Sequence, residues 1–156
     1  MVGMRTEPIV TATTVEVDRP TAFERFTANL GEWWPLRPLS IGGRQVVRVD
    51  VDARAGGEVA EVWGDGNRVT WGHITTWDPV DAFGMTWEVL PATTHVDVRF
   101  AELGPRLTRV TLTHSGWEAL QHVDPAEITA LSGGYVSGWQ LVLDRFAGFA
   151  APPAGD

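Results

Sequence analysis

The sequence predicts an α+β domain in which one antiparallel sheet is covered by a long C-terminal helix. Two observations carry this prediction. Six segments between residues 45 and 114 show the alternation of apolar and polar side chains that is typical of half-buried strands. After them, apolar residues recur every three or four positions from Tyr135 to Phe149, which indicates an amphipathic helix of about 18 residues. Because only short turns separate the strands, we expect them to pair as an antiparallel meander.

The chain begins with a predicted strand and a short helical segment. Alternating β-branched residues indicate a strand from Ile9 to Asp18. Thr21 is expected to cap a helix, because Glu24 follows it at the spacing of a capping box. The helix should stop near residues 29–31, and Pro35 ends any further helical turn. Short helices are therefore expected after the first strand.

Six further strands follow, separated by turns that contain Gly or Pro. A strong hairpin signal lies at residues 64–67, Gly-Asp-Gly-Asn. In the strand after it, alternation places Trp71 and His73 on one side, although Ile74 could claim the inner face instead. The predicted strands cover residues 45–51, 58–63, 69–77, 83–89, 95–101 and 107–114.

The last hairpin permits two registers, and burial distinguishes them. A two-residue loop would pair Phe100 with Arg109, whereas a three-residue loop would pair it with Val110. The second register keeps one face of the hairpin apolar, and a buried face strongly selects for that arrangement. It also places His114 on the inner face at a strand end and turns His95 outward.

Composition and charge exclude several classes of function. The chain has 156 residues and a formal net charge of −8, and it contains neither Cys nor Lys. Its length predicts one domain over residues 1–151 and a flexible tail over residues 152–156. Disulfides, thiolate chemistry and a Schiff-base lysine are excluded. Acidic charge without a basic cluster argues against nucleic acid or an anionic membrane as partner. Without a signal-peptide pattern or an apolar run of about 20 residues, we expect a cytoplasmic protein with no membrane insertion.

Short motifs along nearly the whole chain point together to a known family. They are Trp33-Trp34-Pro35, Gly56-Gly57 with Glu61, Trp71-Gly72, Trp77-Asp78-Pro79, Thr86-Trp87-Glu88, residues 112–117 and Gly138-Trp139. In order and spacing they resemble the START-like (SRPBCC) superfamily, in the branch related to the activator of heat shock protein ATPase. The resemblance implies a helix-grip, Bet v 1-like fold: a curved antiparallel sheet of about six to seven strands, wrapped around the C-terminal helix, with a cavity between them.

Large aromatic side chains are the main candidates for contact with a ligand. Trp71, Trp87 and Trp139 are expected to point at the space between sheet and helix, where they either line a cavity or fill it as core. The family resemblance places Trp33-Trp34 at the rim of that space, as a lid or as a hydrophobic plug. Together the predicted ligand-binding residues are Trp33, Trp34, Trp71, Met85, Trp87, His114, Tyr135 and Trp139.

Three residues are weaker candidates for acid–base catalysis: His114, His73 and Glu61. A histidine in a cleft titrates near neutral pH, but a hydrogen-bonded core histidine is the commoner case. Glu61 is expected on the solvent-facing side of the sheet; if it faced inward, it would need a donor, such as Arg48 or Arg99, or would stay protonated. No His pair has ligand spacing and there is no Cys, so neither a metal nor a cofactor is expected.

The sequence therefore leaves three hypotheses for function. The first is a non-catalytic domain that binds a small, largely apolar or aromatic molecule between sheet and helix. The second is an enzyme of the cyclase or aromatase kind that uses a pocket His or Glu. The third is a co-chaperone-like interaction module. This hypothesis has less support, because the chain is a single domain without a second module that could clamp a large partner. A homodimer stays open, through the outer sheet face or an exposed Trp.

Overall fold

A seven-stranded antiparallel sheet forms the body of the molecule, with strand order β1-β7-β6-β5-β4-β3-β2. The computed structural model describes residues 7–36, 39–120 and 122–150, without the side chains of residue 125 and residues 128–133. Strands β2 to β7 form the predicted meander, and β1 pairs antiparallel with β7. The strands are β1 Ile9–Val15, β2 Val46–Val51, β3 Glu58–Trp63, β4 Arg68–Asp78, β5 Ala82–Trp87, β6 Thr94–Gly104 and β7 Leu107–Ser115.

The helices lie where the sequence predicts them, with two corrections. The predicted cap at Thr21 is wrong: Asp18 caps the first helix by accepting a hydrogen bond from Thr21 N, so the helix begins earlier. The C-terminal helix has 26 residues. It is longer than expected because it begins at Pro125, before the strong apolar stripe that starts at Tyr135. The tail predicted over residues 152–156 lies outside the described residues. The helices are α1 Arg19–Thr27, α2 Leu30–Trp33 and α3 Pro125–Ala150, with 3-10 turns at Gly43–Gln45 and Trp117–Leu120.

The register predicted for the last hairpin is confirmed. Phe100 lies opposite Val110, and the same register brings His114 opposite Val96 on the inner face. The turn combines a tight connection with a β-bulge before Gly104, which together have the effect of the predicted three-residue loop. His95 points outward and is exposed.

Two β-bulges in β4 decide which of its side chains face inward. The pairing with β3 skips Trp71, and the pairing with β5 skips Thr75. Each extra residue shifts the alternation by one position, so Trp71 and Ile74 are both buried while His73 is exposed. The first bulge also brings the backbone of Gly72 so close to β5 that a Cβ there would lie 1.8 Å from the carbonyl oxygen of Thr86, which only glycine permits.

The core lies between the concave face of the sheet and helices α1, α2 and α3. Phe26 of α1 is its centre, because its ring packs against Phe146 of α3 at 5.0 Å and against Phe100 of β6 at 5.7 Å. Trp33 of α2 closes this cluster against Phe146 at 5.0 Å. This end of the sheet–helix interface is therefore filled by side chains.

Candidate functional site

The other end of the interface holds a cavity of about 480 Å³. Its walls are mostly aromatic and apolar, and the aromatic rings of the lining pack against one another. Trp34 lies 4.9 Å from Trp71, and Trp139 lies 5.2 Å from Trp87 between ring centroids. The described lining residues are Trp34, Leu39, Ser40, Ile41, Trp71, Trp87, Val89, Glu127, Gly134, Tyr135, Gly138, Trp139 and Val142.

Different elements position the four tryptophans that line the cavity. Trp71 is the bulged residue of β4, and Trp87 ends β5. Trp34 follows α2 and donates its indole N–H to the carbonyl oxygen of Leu39 over 2.7 Å, which fixes the orientation of the ring. Trp139 projects from α3 toward Trp34 at 5.9 Å. Every one of the four rings is at least 92% buried.

The mouth of the cavity lies where its lining reaches solvent. Ile41 is 49% exposed although it is apolar, and Glu127 and Gly134 in the N-terminal half of α3 are exposed as well. A cavity with buried aromatic walls and an exposed rim admits a molecule from solvent and removes most of its apolar surface from water.

Glu61 of β3 lies behind one wall of this cavity and is fully buried. Its Oε1 accepts hydrogen bonds from Trp71 Nε1 at 2.7 Å and from the backbone N–H of Ile41 at 2.8 Å. Its Oε2 accepts from Trp63 Nε1 at 2.7 Å and from the backbone N–H of Gly42 at 2.6 Å. The expectation that Glu61 faces solvent is wrong, and neither of the arginines considered as its partner supplies a donor.

The four donors keep the Glu61 carboxyl ionised. Burial by itself raises the pKa of this group, but the hydrogen bonds from Trp71, Ile41, Trp63 and Gly42 together outweigh burial and hold the pKa below its ordinary value. All four donors are neutral, so an anion is buried without a salt bridge. The carboxylate fixes the Trp71 ring and the backbone of Ile41, which are two adjacent parts of the cavity wall.

His114 is also fully buried and lies behind Trp139. Trp139 Nε1 donates to its Nδ1 at 3.0 Å, and its Nε2 lies 2.7 Å from Thr94 Oγ1. Both ring nitrogens are therefore engaged. Burial, with a smaller contribution from the charge of His95, lowers the pKa of His114 to about 4, so the ring is neutral at pH 7. His114 supports the cavity wall and is not part of its lining.

The remaining predicted site residues are distributed between the core, the surface and the cavity. His73 lies on the outer face, where its Nδ1 is 2.7 Å from Glu88 Oε2, and so it is remote from the cavity. Trp33 and Met85 are buried but belong to the packed core. The predicted pair Trp33-Trp34 thus divides, with Trp33 as plug and Trp34 as cavity wall.

Tyr135 supplies a polar atom to the cavity. Its hydroxyl oxygen accepts a hydrogen bond from Trp87 Nε1 at 2.9 Å, and burial raises the pKa of the phenol. Among the side chains that the structure describes, no acceptor for the hydroxyl proton lies within hydrogen-bond distance. That proton is free to be donated to a molecule in the cavity.

Sequence reasoning missed the segment at residues 39–41 and the two glycines of α3 that line the cavity. Glu61 holds this segment through hydrogen bonds to residues some twenty positions earlier in the chain. Such a distant contact leaves no pattern in the local sequence. Gly134 and Gly138 do carry one, because glycine is unfavourable inside a helix and four-residue spacing puts both on one face. The described residues contain no group of three or more His, Cys, Asp or Glu side chains that could hold a metal ion. No helix in the described part of the chain is long and apolar enough to cross a membrane.

The curved sheet, the long C-terminal helix and the cavity between them define a protein of the START-like (SRPBCC), helix-grip class. The chain belongs to the family described as activator of Hsp90 ATPase homolog 1-like protein, whose model matches residues 16–151. No functionally curated protein matches the sequence significantly.

Solved structures with the same fold include proteins of different activities. The chain is 25% identical to an anthrahydroquino-gamma-pyrone synthase, Txn09, with a TM-score of 0.57, over 90% of this chain and 95% of that one. It is 22% identical to CalC, a self-sacrificing resistance protein from Micromonospora echinospora, with a TM-score of 0.66, over 93% and 94%. It is 16% identical to EF2215, a protein of unknown function from Enterococcus faecalis, with a TM-score of 0.65, over 98% and 77%.

Proposed function

We propose that this protein binds a small, largely apolar molecule with an aromatic ring system in the cavity between the sheet and α3. The observation that carries the proposal is the set of five aromatic side chains around about 480 Å³ of space: Trp34, Trp71, Trp87, Tyr135 and Trp139. This volume falls within the range of about 300–1,000 Å³ that is usual for ligand sites. Rings of this kind stack on flat apolar ligands and contribute beyond the area they bury.

The name of one similar structure supports an aromatic ligand. The name anthrahydroquino-gamma-pyrone synthase describes a fused ring system, and that protein is one of the structures that share this fold. The Tyr135 hydroxyl supports a ligand with a carbonyl or ether oxygen near the cavity wall, because its proton is available for donation.

Binding is better supported than catalysis, because the three acid–base candidates are engaged elsewhere. His114 has both ring nitrogens occupied, Glu61 accepts four hydrogen bonds behind the wall, and His73 lies on the opposite face of the sheet. A reaction in this cavity would therefore depend on Tyr135 or on shape alone. A role as a chaperone partner is suggested by the family description, without a described surface feature that favours it.

The proposal is tested by fluorescence with the neutral probe N-phenyl-1-naphthylamine. Binding in the cavity should raise probe emission and quench the surrounding tryptophans. Gly138→Leu should abolish both signals, because Gly138 lines the cavity and its new side chain would extend past Leu39 into it. Gly148→Leu is the matched control: the same change in the same helix, at an exposed position with nothing within 4 Å.

Two outcomes decide the proposal. Saturable binding to the native protein and to Gly148→Leu, but not to Gly138→Leu, would support it. Absence of binding to the native protein, or equal binding to both variants, would reject the cavity as the site.

A further inference from the structure

We propose that the cavity selects apolar ligands that carry one positive charge, such as a tertiary or quaternary ammonium. This inference rests on the proposed binding function and adds the charge of the ligand to it. Three features carry it: the arrangement of the aromatic rings, a buried carboxylate behind one of them, and the charge of the rim.

The rings form one continuous aromatic wall of the cavity. The ring centroids of Trp71 and Trp87 are 6.0 Å apart, and those of Trp34 and Trp87 are 6.4 Å apart, so these rings pack on one another and a bound group meets several of them side by side. The face of an aromatic ring is electron-rich, and tryptophan attracts cations more strongly than the other aromatic residues do. A quaternary ammonium keeps little of its hydration, so it suits a wall that offers aromatic surface instead of oxygen ligands.

Glu61 strengthens this attraction from behind the wall. Its ionised carboxylate accepts the indole N–H of Trp71 at 2.7 Å, which shifts electron density toward the part of the ring that faces the cavity. The carboxylate is 0% exposed, so water screens its field less than it screens the field of a surface charge. No Arg or His among the described residues lies within 4 Å of it, and its four hydrogen-bond partners are neutral. The charge therefore acts on whatever occupies the cavity.

The rim of the cavity is negatively charged, as Glu61 is. Glu127 lies in the lining near the mouth, and none of the described lining residues is basic. The chain as a whole carries a formal net charge of −8. Both favour the approach of a cation and disfavour an anion. A neutral aromatic ligand gains from the ring faces alone, whereas a cationic one gains from the rings and from both carboxylates.

The test uses three ligands that share one naphthalene ring. They are (1-naphthylmethyl)trimethylammonium, its neutral carbon isostere 1-neopentylnaphthalene, and the anion 1-naphthylmethanesulfonate, each titrated to displace N-phenyl-1-naphthylamine. The ammonium is expected to bind about tenfold more tightly than its isostere, which lies between the values for exposed and for desolvated cation–π contacts. The sulfonate should not displace the probe.

Glu61→Gln should bring the affinities of ammonium and isostere together, while Glu58→Gln on the same strand, where Glu58 pairs with surface Arg68, should leave their ratio unchanged. If Glu61→Gln fails to fold, Glu127→Gln at the exposed rim should still lower the ratio about twofold to threefold. Equal or tighter binding of the isostere to the native protein would overturn this inference and leave apolar binding intact. Failure of the probe itself to bind would instead reject the proposed function.

Discussion

Trp139 donates its indole N–H to Nδ1 of His114 over 3.0 Å, and this contact fixes the state of the histidine. An indole nitrogen is a donor only, so Nδ1 must be unprotonated and the proton of the neutral ring must sit on Nε2. Nε2 then donates to Thr94 Oγ1 at 2.7 Å. A histidine that acts as acid or base would need a nitrogen open to the ligand, and neither nitrogen is.

The burial of His114 leads us to expect a loss of stability in mild acid. Its pKa is lowered from 6.5 to about 4 in the folded protein, whereas the unfolded chain keeps the ordinary value. Between these two values the unfolded state holds a proton that the folded state lacks, so the free energy of unfolding falls as the pH falls. The contribution is complete above pH 6.5 and is lost by about pH 4, amounting to about 3 kcal/mol. Urea denaturation at a series of pH values measures it.

The matched variants for this effect are His114→Asn and His122→Asn. Asparagine can still accept the indole hydrogen bond but does not titrate, so His114→Asn should flatten the pH dependence across this window. His122 is exposed, so His122→Asn should leave the slope unchanged. An unchanged slope in His114→Asn would contradict the assignment.

Glu61→Gln should destabilise the protein by about 3 kcal/mol. The amide group of glutamine is a donor, so it would face two of the four donors that the carboxylate now satisfies. Glu58→Gln should cost less than about 1 kcal/mol, because its ion pair with Arg68 is partly exposed. The midpoint of urea unfolding compares the two, and equal losses would mean that the buried hydrogen bonds matter less than their geometry indicates.

Gly138→Ala should stabilise the fold and weaken ligand binding. Alanine is favoured over glycine inside a helix by about 1 kcal/mol, and a Cβ at position 138 would meet Leu39 at an ordinary contact distance of 3.9 Å. Nothing among the described residues therefore requires glycine at position 138, whereas a ligand in the cavity benefits from the space. Gly148→Ala should raise the melting temperature similarly without changing affinity. Lower stability of Gly138→Ala would mean that the cavity wall is tighter than described.

Tyr135→Phe should weaken the binding of ligands that accept a hydrogen bond more than the binding of ligands that do not. The change removes the acceptor for Trp87 Nε1 and should cost about 1 kcal/mol of unfolding free energy. Affinity for anthraquinone, which has carbonyl oxygens, should fall several-fold, while affinity for anthracene should change little. Parallel losses for both compounds would show that the hydroxyl shapes the cavity without donating to the ligand.

The fold was predictable because its signals are local and periodic. Alternation predicted the number of strands, their order along the chain and the inward face of β6 and β7, since one register alone buried Phe100 against Val110. The place of β1 beside β7 was not predicted. Alternation did not place His73 correctly, because the extra residue at Trp71 reverses which side chains of β4 face inward. The sequence pattern does not show this bulge. The cap was misplaced for a similar reason, since Asp18 and Thr21 both fit a helix start.

The site was predictable only in part. Bulky aromatics on inward positions identified Trp71, Trp87 and Trp139 as residues near the sheet–helix interior, and the family resemblance placed Trp34 at its rim. Periodicity does not show which of two adjacent rings fills the core, so Trp33 could not be separated from Trp34. The burial of Glu61 was hidden as well, because two of its four donors come from a loop that no pattern places beside β3.

The most direct test of the binding site is a crystal structure of the protein soaked with 1-bromonaphthalene, with bromine located by anomalous scattering. A bromine peak among Trp34, Trp71, Trp87 and Trp139 is the result expected from a ligand-binding cavity. A peak found only in the surface groove between β1 and α3, which Val10 and Leu141 line, would contradict it. A cavity without density at saturating ligand would do the same and would return the four tryptophans to the core.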